Sequence, residues 1–187
     1  MNLIFKISII FIVGAMLGCG TSSKTTSSQG ELKYLQDLVA SRSFKIESNW
    51  AMPLMTRSMN SISNAGLLPV GSAGNQINLF GNSNYLKVEG DTVSAFLPYF
   101  GERQMGAGYA SNTNAIQFKG VPENYKVVDN TGSNSKEISF NINNKTEGFR
   151  VHITLNPDLS SNINVNSTAR FTIRYKGEVM PIGNEQY

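Results

Sequence analysis

Few side chains in this 187-residue sequence are spaced to do chemistry, and each such set points to a different reaction. His152 is the only histidine, so a Ser-His-Asp triad would have to use it, and no nucleophile-elbow sequence accompanies it. It alternates with Val151 and Ile153 and sits beside Arg150 and Thr154, which puts it on the polar face of a strand. A zinc site needs several His or Cys ligands, which this chain lacks. Met52, Met55 and Met59 lie three and four apart. Their soft sulfurs suit Cu(I), but the same spacing packs one side of a helical turn, and that is the simpler reading. No cofactor is expected.

Two further sets concern recognition and hydrolysis. The stretch Gly101-Glu102-Arg103-Gln104-Met105-Gly106-Ala107-Gly108-Tyr109 is glycine-containing but lacks the Lys-Ser/Thr ending and the following helix of a phosphate loop. Read plainly, it is a wide hairpin loop. Read more sharply, it is a recognition loop in which Tyr99, Phe100 and Tyr109 offer apolar faces and Arg103 and Gln104 offer polar contacts. Glu89, Glu102, Glu123 and Glu137 contain the carboxylates that glycoside hydrolysis would need in a pair, but sequence alone brings no two together. Asn162, Asn164 and Asn166 recur every second residue. That row reads as a polar outer face, with a glycan-binding ladder as the sharper alternative.

Cys19 is the only cysteine, and it follows an apolar run within Met16-Leu17-Gly18-Cys19-Gly20. Lys6 supplies a positive charge, and Ile7 to Leu17 is apolar apart from Ser8. The run is too short to span a bilayer in the usual way. Residues 1–18 therefore read as a lipoprotein signal peptide, with Cys19 as the site of lipid attachment. Each buried methylene contributes about 0.8 kcal/mol, so two or three acyl chains hold a protein on a membrane without a transmembrane helix. From Cys19 to Gly30 the chain is rich in Ser, Thr and Gly and has no large apolar residue to bury, which predicts a flexible tether spanning about 18 Å on average.

Residues 31–187, about 157 in number, are the size of one domain. Two of the sixteen basic residues, Lys6 and Lys24, precede that domain and none of the thirteen acidic residues does, leaving fourteen against thirteen. So balanced a charge gives no support to nucleic-acid binding through a basic face. With Cys19 lipidated no thiol remains for a disulfide, and stability must come from a packed core.

The elements that position these side chains follow from periodicity. Leu32, Leu35, Leu38 and Val39 recur at helical spacing and predict a helix over 31–42. Period two then takes over. Phe44/Ile46, Ile77/Leu79, Leu86/Val88, Val93/Ala95/Leu97/Tyr99, Ile116/Phe118 and Tyr125/Val127 each place apolar residues on one side. Ile138/Phe140/Ile142, Phe149/Val151/Ile153/Leu155, Ile163/Val165 and Phe171/Ile173/Tyr175 continue the pattern, giving about ten strands. Glu89-Gly90-Asp91-Thr92 suits a two-residue hairpin with Gly first. No second helix alternates with the strands, so the expected fold is mainly β: an antiparallel meander forming a curved or barrel-like sheet, with one N-terminal helix packed against it. Residues 53–76 and 101–114 are long loops interrupting the meander.

Asn84-Tyr85-Leu86-Lys87-Val88, Gly90-Asp91-Thr92-Val93 and Leu97-Pro98-Tyr99-Phe100-Gly101 resemble a family of Bacteroidetes envelope lipoproteins built on a domain of unknown function. Ile163-Asn164-Val165-Asn166-Ser167 and Ile173-Arg174-Tyr175-Lys176-Gly177 fit it too, so the resemblance covers about residues 32–181, with the stretch before Asn75 as an insertion. It implies an all-β envelope protein and transfers no catalytic residue. In that setting, the absence of acidic residues directly after Cys19 favours a periplasm-facing outer-membrane lipoprotein. Asp91-Thr92-Val93 likewise resembles the short O-glycosylation motif of such exported proteins, with Thr92 as acceptor. The leading expectation is a non-enzymatic protein that binds an envelope lipid, glycan or other ligand in a groove of the curved sheet. The alternatives are an assembly lipoprotein that contacts another envelope protein through a strand edge or residues 53–76, and a hydrolase of envelope polymers.

Overall fold

The computed structural model describes residues 28–104, 114–144 and 147–183. Across them the period-two pattern becomes ten strands, β1 Ser43–Pro53, β2 Ile77–Asn78, β3 Tyr85–Glu89, β4 Thr92–Pro98, β5 Ala115–Gly120, β6 Glu123–Asn130, β7 Ser135–Asn144, β8 Glu147–Leu155, β9 Ser160–Ser167 and β10 Ile173–Pro181. All pair antiparallel in one sheet of order β5-β4-β3-β1-β10-β9-β8-β7-β6, and β2 extends the β3 side of β1. Two meanders therefore share β1 as their central strand, because β10 returns from the far end of the chain to pair along it. The sheet curls until β5 meets β7. Phe118 on β5 packs edge-on to Phe140 and tilted against Phe149, and Asn144 donates to the Gln117 carbonyl at 2.6 Å. This half-barrel is closed by side chains at a point where no strand pairing occurs.

The concave side carries the hydrophobic core. Phe44, Ile46, Leu86, Leu97, Ile116, Phe140, Ile153 and Tyr175 are among its fully or almost fully buried residues. Burying such side chains contributes roughly 1.5–3 kcal/mol each. The alternation that makes the strands also packs apolar side chains between them. Helix α1, Gln29–Ala40, packs against β1 and β7 and adds Leu35, Leu38 and Val39 to this core.

Three local readings are corrected. Helix α1 starts two residues before the expected position, because the Ser28 hydroxyl accepts from the Glu31 N–H while the Glu31 carboxylate accepts from the Ser28 N–H. Ser28, Gln29 and Gly30 therefore belong to the helix and its cap instead of the tether. Residues 53–76 are not only loop: Thr56 caps a second helix, α2, Arg57–Asn64, whose Met59 is buried. Strand β6 is almost wholly exposed, Val127 included, because it lies at the sheet edge and its register with β7 shifts between Glu123 and Lys126. The hairpin at Gly90 forms as expected, with Gly90 at a φ of +62°.

One irregularity shapes the centre of the sheet. Strand β1 bulges between Ser48 and Trp50, where β3 has ended and β2 has not begun. Asn84 fills the gap: its side-chain oxygen accepts from the Ser48 N–H and its amide nitrogen donates to the Ser48 carbonyl, both at 2.8 Å. The amide acts as a one-residue strand, so the buried backbone keeps its partners. On the other side of the bulge is Gly177, where a Cβ would stand 1.9 Å from the Glu47 carbonyl oxygen.

Candidate functional site

Tyr99 follows β4 and keeps the inward side of its alternation, so it is buried, with 8% of its surface exposed. Its hydroxyl lies 2.9 Å from the Glu102 carbonyl and 3.1 Å from that of Phe171. Burial raises its phenol above the ordinary value, with the Arg170 charge pulling the other way. The Arg170 guanidinium stands 5.1 Å from the centre of its ring. The same guanidinium bonds Glu147 with both forks, Nε to Oε1 at 2.7 Å and Nη2 to Oε2 at 3.0 Å. Burial raises the Glu147 carboxyl, but the bonds from Arg170 and Ser167 and the charges of Arg170 and Arg103 outweigh that and hold it below the usual carboxylate value. Arg103 forms an isolated backbone bridge with Arg170, and the Gln104 N–H donates to the Ala169 carbonyl at 2.8 Å.

Of the expected recognition set, the structure thus gathers Tyr99, Arg103 and Gln104 around the β9–β10 connection. Phe100 is partly buried against the core. Tyr99 offers no free aromatic face, so its role here is to pack and to hold backbone. Tyr109 and Cys19 lie outside the described residues. Thr92 opens β4 half-buried beside Asp91, whose carboxylate pairs with Arg42 at 2.9 Å. The four glutamates stand on separate elements. Glu102 lies at the start of α2, where hydroxyls of Thr56 and Ser58 lower its carboxyl, and Glu137 accepts from Asn130. Among the described residues no cluster of three or more His, Cys, Asp or Glu could hold a metal, and no helix is long and apolar enough to cross a membrane.

A different surface has the shape of a site. On the outer face of β6–β9 a shallow groove of about 380 Å³ is lined by Glu123, Asn141, Asn143, Gly148, Phe149, Arg150, Asn166, Ser167 and Thr168. Strand register builds it. Asn141, Arg150 and Asn166 lie in one row across β7, β8 and β9, with Glu123 opposite Asn141 on β6. In the next row Gly148 opposes Asn143 and accepts from the Thr168 N–H. A Cβ at Gly148 would stand 2.9 Å from the Asn143 side-chain oxygen, so the missing side chain is what opens the floor. One wall is fixed by Ser167, whose hydroxyl donates to Glu147 and accepts from the N–H groups of Ala169 and Arg170.

The outer face continues from this groove as a regular array. Arg150 and Thr172 flank Asn166, His152 and Arg174 flank Asn164, and Thr154 and Lys176 flank Asn162. Thr172 donates to the Asn166 oxygen at 2.7 Å. The asparagine row and the outward placement of His152 were legible as alternation. The groove was not, because it depends on Gly148 lying opposite Asn143 and next to Thr168, residues from two strands and a turn.

The fold is shared with a crystal structure of a DUF4251 family protein from Bacteroides eggerthii, with a TM-score of 0.55 and 15% identity, covering 81% of this chain and 88% of that one. A comparison with curated proteins finds no match. The family model described as Domain of unknown function (DUF4251) matches residues 26–179, nearly all of α1 and the sheet, and the chain therefore belongs to the DUF4251 family.

Proposed function

We propose that the protein is an envelope lipoprotein, held to a membrane through Cys19, that binds a hydroxyl-rich ligand such as a glycan on the outer face of its sheet. The observation that carries the reading is the groove in which Asn141, Asn143, Arg150, Asn166 and Thr168 meet over Gly148. Amide side chains both donate and accept, which matches neighbouring sugar hydroxyls, and a guanidinium adds a fork of donors. The side chains stand on paired strands, so little order is lost on binding. No step of bond cleavage is assigned to these groups. The test is retention of the full-length protein, in neutral detergent, on immobilised glycans from its host's envelope. Wild type is retained and Arg150→Ala/Asn166→Ala is not; equal retention of both, or of neither, overturns the site.

A second reading is favoured by one observation. Residues 54–80 expose a series of large apolar side chains, with Leu67 73%, Val70 96% and Phe80 66% exposed. Such a series suits contact with another envelope protein. Cross-linking in intact cells distinguishes it: a discrete adduct lost on Leu67→Ser/Val70→Ser supports assembly, whereas the groove reading predicts no change.

A further inference from the structure

Resting on the glycan reading above, we infer that the ligand is acidic, a polysaccharide bearing carboxylate or sulfate groups. The whole domain is almost neutral, but its charges are sorted. Across the outer face of β8, β9 and β10, Arg150, Arg174 and Lys176 stand around the central asparagine column, and all three are exposed. Among the described residues none of them has an ion pair or a hydrogen bond from its side chain. A cation engaged in no ion pair has its charge available to a ligand.

The carboxylates of this surface stand at its borders. Glu123 lies two strands from Arg150, about 10 Å away at ordinary strand spacing, and Glu137 is likewise two strands from Asn162 and already accepts from Asn130. Glu178 follows Lys176 one outward position later on β10. Between these borders the array measures about 10 Å across the strands and about 14 Å along them, the footprint of a short run of sugar units. Asn162, Asn164 and Asn166 supply paired donors and acceptors along its centre, and the cations flank them on both sides. A lipid surface would call on the cations and on exposed apolar side chains to insert, and β8–β10 expose no large hydrophobic residue on this face. Duplex nucleic acid would call on an extended basic face, which a domain with fourteen basic and thirteen acidic residues does not offer.

The experiment uses full-length protein in neutral detergent, with polygalacturonate and chondroitin sulfate as acidic probes and dextran as the neutral one. Phosphatidylglycerol vesicles and duplex DNA are the other anions. The inference predicts that an acidic polysaccharide binds at least about tenfold tighter than dextran and that the preference falls as salt rises from about 50 to about 500 mM. Arg150→Gln/Arg174→Gln/Lys176→Gln, which keeps size and polarity at exposed positions, reduces binding to the level of dextran. Equal binding of dextran and the acidic chains overturns the inference and leaves the glycan site standing. Binding of no polysaccharide overturns both. Retention by vesicles or DNA but not by the acidic chains overturns the inference in favour of another anionic surface.

Discussion

Arg170 grips Glu147 with two hydrogen bonds while stacking over Tyr99, and with side chains only 4% and 16% exposed the pair is nearly sealed from water. It joins the start of β8 to the β9–β10 connection. Ser167, which lines the groove, donates to the same carboxylate. The groove wall therefore depends on this ion pair, although neither charged residue lines the groove.

Removing one partner strands the other charge, a loss of about 3–5 kcal/mol for buried pairs. Arg170→Ala is expected to fall in that range by urea denaturation, and Arg170→Lys to recover only part of it, because an ammonium cannot reproduce the fork. A loss below about 1 kcal/mol would mark the pair as solvated.

Acid should act through the same carboxylate. Glu147 is held below its ordinary value of 4.5 in the folded protein, so its contribution is fully present above that value and is lost as pH falls through the lower, folded value. Stability measured between about pH 6 and pH 3 should decline more steeply for wild type than for Glu147→Gln. Parallel curves would assign the acid sensitivity elsewhere.

Gly177 faces the β1 bulge with no room for a side chain. Because the neighbours are backbone, Gly177→Ala must move a strand, and a cost of about 3 kcal/mol or more is expected. Gly183→Ala, which meets nothing within 4 Å, serves as the neutral control. Both are read by thermal unfolding.

Asn84→Ala removes both partners of the Ser48 backbone and should destabilise by about 2–4 kcal/mol, since a buried donor and a buried acceptor are left empty. Amide exchange at Ser48 should accelerate at the same time. Unchanged protection there would show that water or a shifted β3 replaces the amide.

How much of this was readable in advance varies with range. Alternation located nearly every strand, and its run Val93/Ala95/Leu97/Tyr99 already placed Tyr99 on the core side. Treating that tyrosine as a ligand platform set loop position above period. Ser28 and Glu31 carried a capping signal that fixes the helix start. The Asn84–Ser48 and Arg170–Glu147 contacts lie 36 and 23 residues apart and arise from a bulge and from two turns, features with no period. The asparagine row was visible as a polar face, while the cations gather around it only once β8 and β10 take their places beside β9.

The central claim is that ligand binds the outer face of β8–β9. Its most direct test is chemical-shift mapping of the labelled full-length protein in neutral detergent as polygalacturonate is added. The account predicts dose-dependent shifts at Gly148, Arg150, Asn166 and Thr168, with core amides such as Ile46 and Val88 unmoved. Shifts confined to residues 99–104 or to 54–80, or none at all, would contradict it.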